Sequence, residues 1–206
     1  MRNSLALTLL ALAAMASASS LDIKSLSFGT NTGILGLGNV AGMADGAYYA
    51  GPFDASYDGG ASFRVFCGDL IDHTEFNSPT GVSLVDTATK GAGYQQAARL
   101  LNKYVGEVGS DPLKNAALQA AVWKSIFPTL TYADGTAGAS ALADDYLAST
   151  DLASYSDHAT YYDFGGANQS MLGVRALGGP QATPEPSSFA ALAVGGLGLL
   201  RRRKRA

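Results

Sequence analysis

Both ends of this chain are apolar segments with cations at their outer margins, which confines the folding domain to what lies between them. At the N-terminus Arg2 precedes the apolar run 5–15, LALTLLALAAM, and Ala16-Ser17-Ala18 follows as a small-residue cleavage signature. That order reads as a secretory signal helix over residues 1–18, with cleavage governed by Ala16 and Ala18 and a mature chain starting at Ser19. At the C-terminus Pro184-Glu185-Pro186 comes first, then the apolar run 187–200, then Arg201, Arg202, Arg203, Lys204 and Arg205. The prolines hold the tripeptide extended, and the cations are expected to keep the end of the chain on the cytoplasmic side of a membrane. The anchoring side chains are Phe189, Leu192, Val194, Leu197, Leu199 and Leu200. Residues 189–200 make about 18 Å of helix against about 30 Å of hydrocarbon. A membrane helix that short, weakened further by Gly195, Gly196 and Gly198, suits transient retention better than permanent anchoring.

The order Pro-Glu-Pro, apolar run, basic cluster over residues 184–206 resembles the PEP-CTERM sorting signal of Gram-negative bacteria. The resemblance implies a protein handled by signal peptidase and the secretion machinery and held at the inner membrane. An exosortase-type membrane protease would then process it for the cell surface or the extracellular matrix, in cells that secrete exopolysaccharide. It implies nothing about the chemistry of the rest of the chain.

Between the ends, residues 19–178 read as one extracytoplasmic domain and residues 179–183 as a linker. The ends carry six of the 14 basic residues and one of the 17 acidic ones, so residues 19–183 have a net charge of −8. An acidic, basic-poor surface argues against nucleic acid as a partner. One cysteine, Cys67, is present. An exported chain with a single thiol cannot form an internal disulfide, which leaves an inert buried residue, an intermolecular link or a reactive group.

The first part of the domain reads as strands and turns. Leu21, Ile23, Leu26 and Phe28 suggest a strand, Gly33 to Gly38 together with Asp45-Gly46 and Asp58-Gly59-Gly60 suggest turns, and 61–71 (ASFRVFCGDLI) is the sharpest strand. Residues 82–87 form another short candidate. The period then becomes helical: Tyr94, Ala97, Ala98, Leu101, Tyr104 and Val105 share one face. Asp111-Pro112 pairs an N-cap acid with a first-turn proline and predicts a second helix ending before Pro128. A weaker helix is expected over 140–149, and closing strands over 161–164 and 170–177. The predicted class is α+β, a β-sandwich or barrel interrupted by a helical segment.

Phe66-Cys67-Gly68-Asp69-Leu70 on a strand is followed about fifty residues later by Leu118-Gln119-Ala120-Ala121-Val122-Trp123 on a helix. Over roughly residues 60–127 this arrangement resembles the bacterial thioester domains of surface adhesins, in which a cysteine sulfur and a glutamine side-chain carbonyl are covalently joined. The carry-over would make Cys67 and Gln119 the thioester pair, although Leu118 stands where those domains usually have threonine. Residue chemistry permits it: the thiol attacks the carboxamide, ammonia leaves, and an acyl bond remains that a target amine or hydroxyl can open. Trp123, one helical turn beyond Gln119, and Phe66 are the candidate shields against water. The bland alternative is a cysteine that packs as a small hydrophobe beside an ordinary amphipathic helix.

Asp69, Asp72, His73 and Glu75 cluster after the strand, but without the spacing or the glycine of a calcium loop; a solvated turn is the expectation, and no metal site is assigned. His158 has no serine nominated to complete a triad. Gly36, Gly38 and Gly42 miss the dinucleotide pattern, so no cofactor is expected. Tyr48, Tyr49, Tyr57, Tyr161 and Tyr162 suit either sugar stacking or half-buried sheet positions. The expectation is therefore a non-enzymatic surface or matrix protein, structural or adhesive, acting on surface amines or exopolysaccharide. The alternative is a polysaccharide-binding module or a hydrolase with two close carboxylates in a tyrosine-lined groove.

Overall fold

The computed structural model describes residues 18–27, 33–72, 74 and 76–174. The signal run with Ala16, the sorting tripeptide, the anchor residues and the basic cluster lie outside the described residues, as do Phe28, His73 and Glu75; Ala18 is exposed and outside any helix or strand. Among the described residues no helix is long and apolar enough to cross a membrane.

Among the described residues, nine strands and three α-helices make an α+β domain with two antiparallel sheets. The larger sheet contains β1 (Leu21–Leu26), β4 (Phe53–Tyr57), β5 (Ser62–Cys67), β6 (Ser83–Asp86), β8 (Thr160–Asp163) and β9 (Met171–Gly173), in the order β1-β4-β5-β9-β8-β6. The smaller sheet sets β2 (Gly33–Gly38) between β3 (Gly46–Ala50) and β7 (Thr131–Asp134). The helices are α1 (Ala92–Val108), α2 (Pro112–Ile126) and α3 (Ala139–Ala148).

The barrel expected from sequence does not close. The outer edge of β1 is met by a loop rather than by β6: Leu21 N–H donates to the Pro79 carbonyl at 3.3 Å and Ile23 N–H to that of Asn77 at 3.0 Å. The helical segment expected to interrupt the β-structure lies against it, with α2 packing against β2, β3 and β5 as well as α1 and α3. Residues Asn115 through Trp123 are all buried, so α2 is a central helix enclosed on every side rather than an amphipathic cover. Its ends are well signalled. Asp111 accepts from the Leu113 N–H at 2.9 Å and the Lys114 N–H at 3.4 Å, and Lys124 donates to the Pro128 and Leu130 carbonyls just past the last turn.

The segment Gly33 to Gly38, expected as a turn, is β2. Leu35 and Leu37 alternate inward, and the glycines answer to packing rather than to turning. A Cβ on Gly33 would lie 2.4 Å from both the Ala116 Cβ and the Pro112 carbonyl oxygen, so β2 and α2 can meet only without a side chain there. Gly33→Ala should therefore destabilise the domain by about 1–3 kcal/mol through overpacking. Urea denaturation checks this, and an unchanged midpoint would mean that β2 and α2 separate freely.

Candidate functional site

β5 ends at Cys67, four residues sooner than the apolar pattern suggests. There the Asp69 carboxylate accepts from the N–H groups of Asp72 and Ser170, which folds the chain out of the ladder. Gly68 still donates to the Ser170 carbonyl at 2.7 Å. Cys67 thus stands at a strand terminus, where its main chain is open to another partner.

That partner is Gln119. The Cys67 N–H donates to Gln119 Oε1 at 3.1 Å, and Gln119 Nε2 donates to the Cys67 carbonyl at 3.1 Å. The amide is fully buried, and a buried carboxamide must find both a donor and an acceptor. It finds them on one residue across 52 positions of sequence, so the structure brings Cys67 and Gln119 together. Trp123, one turn further along α2, is 2% exposed and lines a cavity that reaches Cys67. Phe66 is buried but follows strand alternation to the face opposite Cys67.

Sequence reasoning missed Gln169 and Thr74. The Cys67 thiol donates to Gln169 Oε1 at 3.0 Å, the Thr74 hydroxyl donates to the same oxygen, and Gln169 Nε2 donates to the Asp69 carbonyl at 2.7 Å. Gln169 lies between the Gly165-Gly166 turn and β9, in no recognisable motif. The only available hint was a run of polar residues, Asn168-Gln169-Ser170, all of which prove buried. Two glutamines therefore flank Cys67, one holding its backbone and one its thiol.

Burial pushes the Cys67 thiol up to about 12, with the Thr74 hydrogen bond working in the opposite direction and the Asp69 charge adding to the rise. In the folded, unlinked domain the sulfur is held as a thiol. The sign for stability follows: this contribution is complete below the ordinary thiol range and is lost as pH rises towards 12. Folded protein carrying the free thiol should resist iodoacetamide at pH 8, its alkylation rate still climbing well above pH 9. The urea-unfolded chain should show the usual inflection near about pH 8.5. Equal rates in the two states would show that the site does not suppress the thiolate.

Of the other candidates, Asp72 lines the cavity, while the Asp69 carboxylate is committed to backbone donors and is pushed up by burial. His158 is exposed and pairs with Asp86 at 2.7 Å. Tyr48 and Tyr49 line the cavity, whereas Tyr161 and Tyr162 are buried packing residues and Tyr57 stacks obliquely on Tyr162.

Comparisons with known proteins bear on the tail. Residues 182–205 match the PEP-CTERM protein-sorting motif, which marks an exported protein processed at a membrane by exosortase. No curated protein matches the chain in sequence. Among solved structures, the N-terminal thioester domain of fibronectin-binding protein SfbI from Streptococcus pyogenes is similar at a TM-score of 0.45 and 8% identity, covering 78% of this chain and 94% of that one.

Proposed function

We propose that residues 19–178 form an adhesive or structural surface domain, not an enzyme, in which Cys67 and Gln119 condense to an internal thioester. The sorting tail would hold the protein at the inner membrane until processing releases it for display on the cell surface or in the matrix. The observation that carries the thioester reading is the reciprocal pairing of the Gln119 amide with the Cys67 backbone.

That pairing supplies what the acyl transfer needs. The Cys67 sulfur bonds to Gln119 Cδ, and the developing negative charge falls on Oε1, where the Cys67 N–H already donates. The C–N bond then breaks, and the amide nitrogen departs as ammonia with the thiol's proton. The Cys67 carbonyl, which accepts from that nitrogen beforehand, holds the leaving group in place. Docking the Gln119 amide on the main chain of the residue that carries the thiol offsets part of the entropic cost of bringing the two together. The thiol must give up its proton within the step, since burial opposes a free thiolate. A closed cover of Trp123 on one side would protect the product from water.

The test is the intact mass of the purified exported protein. An internal thioester lowers it by one ammonia, about 17 Da relative to the unlinked chain, and methylamine should then add to Gln119 and expose one thiol. Full unmodified mass, a thiol released on unfolding and no adduct would leave Cys67 a packing residue in a non-covalent surface protein.

A further inference from the structure

Opening an acyl bond to sulfur leaves the electron pair on the sulfur, and Cys67 is poorly placed to carry that charge. The residue is buried, and the Asp69 carboxylate adds to the penalty of burial. Asp72, the charged residue on the wall of the adjoining cavity, is an acid as well. Among the described residues, Thr74 is the one side chain whose action on the sulfur favours the charged form. A buried negative sulfur needs a hydrogen-bond donor.

The Thr74 hydroxyl is in place to supply one. Its oxygen lies 4.0 Å from the Cys67 sulfur, and both residues line the cavity together with Gln169. In the thiol state the sulfur and the hydroxyl donate to one acceptor, Gln169 Oε1, the sulfur from 3.0 Å. That arrangement holds only while the sulfur keeps its proton. Without the proton, the sulfur is an acceptor facing another acceptor at 3.0 Å, and the two repel. The Gln169 amide is not free to turn its nitrogen to the sulfur, because Nε2 donates to the Asp69 carbonyl at 2.7 Å. The Thr74 proton can move, since a hydroxyl turns about a single bond and has one proton to give. A charged acceptor draws that proton more strongly than a neutral amide oxygen does.

We propose that Thr74 is the leaving-group donor of this site: its hydroxyl turns from Gln169 Oε1 to the Cys67 sulfur whenever that sulfur carries negative charge. The role in capture rests on the thioester reading above. In that step an amine nitrogen bonds to Gln119 Cδ, the C–S bond breaks, and its electron pair passes to the sulfur. Thr74 donates to the sulfur until the surplus proton of the amine reaches it. The products are a substituted amide on Gln119 and the Cys67 thiol, which donates again to Gln169 Oε1.

Thr74→Val removes the hydroxyl at nearly constant shape, and Thr74→Ser returns it. Methylamine capture, followed by intact mass over time, should slow at least about tenfold in Thr74→Val and recover to within about threefold of wild type in Thr74→Ser. The free thiol is tested separately, whether native in unlinked protein or released by methylamine. Its alkylation by iodoacetamide at pH 9 should also slow in Thr74→Val and recover in Thr74→Ser, because the thiolate has lost its donor. A threonine that only packs would shift the urea midpoint and leave both rates unchanged. Unchanged or faster rates in Thr74→Val, or slower capture without slower alkylation, would overturn the proposal. So would a methylamine adduct mapped to Gln169 instead of Gln119, because the Thr74 hydroxyl would then serve the carbonyl oxygen and not the sulfur. A Thr74→Val protein that never forms the bond is decided by alkylation alone. Wild-type capture at a rate indifferent to Thr74 keeps the thioester and rejects the donor. Full mass with no adduct rejects the thioester, and with it the opening step.

Discussion

Cys67→Ala and Gln119→Ala will each abolish uptake of methylamine, and the double substitution will be no worse than either alone. In the proposed thioester, capture depends on one bond to which each residue contributes one atom, so removing either atom removes the whole of it. Stability should behave differently. Cys67→Ala deletes a small buried group but keeps the backbone donor and acceptor that Gln119 occupies. Gln119→Ala leaves that N–H and carbonyl buried without partners, at about 1–3 kcal/mol for each. Identical capture with unequal unfolding midpoints is thus the signature of this site. Peptide mapping after methylamine treatment reads the first property and urea denaturation the second. An adduct on Gln119 in the Cys67→Ala protein would remove the sulfur from the chemistry.

The second large effect is expected at Trp123. Its ring is among the largest fully buried side chains, set between α2 and the cavity beside the sulfur. Trp123→Ala should cost about 3–5 kcal/mol, the transfer term plus a void that the surrounding β-structure cannot fill. Trp123→Phe keeps most of the apolar area and removes the unpaired N–H, so its stability loss should be much smaller. If Cys67 and Gln119 are linked, the alanine variant should also lose ammonia-deficient mass with time as water reaches the bond. A thioester that persists unchanged in Trp123→Ala would show that some other residue keeps the site dry.

Much of the local structure follows from chemistry within a few residues. Asp111-Pro112 predicts the start of α2 because a carboxylate cap and a fixed φ act within one turn. The helical period from Tyr94 to Val105 predicts α1, which extends to Ala92 and Val108. Asp58-Gly59 turns because both residues take positive φ, which aspartate and glycine tolerate. The C-terminal tail announces export and sorting because that signal is linear: machinery reads it in order, with no fold required.

Everything that depends on distant segments meeting was illegible. Gly33 to Gly38 looked like a turn because glycine's local meaning is conformational freedom; only α2 packed against it shows that the missing side chain is what matters. A barrel remained an alternative to a sandwich because strand patterns carry no closure rule, and whether β1 meets β6 or a loop is decided by partners far along the chain, here the Asn77 and Pro79 carbonyls. Cys67 and Gln119 could be paired from sequence only by resemblance. In the fold a buried amide must satisfy both its ends, and the strand terminus at Cys67 offers the matching donor and acceptor. Gln169 could not be found even that way. It reaches the sulfur because β9 runs beside β5, pairing Met171 with Cys67, and a residue two positions before that pairing is carried to the thiol by sheet register alone.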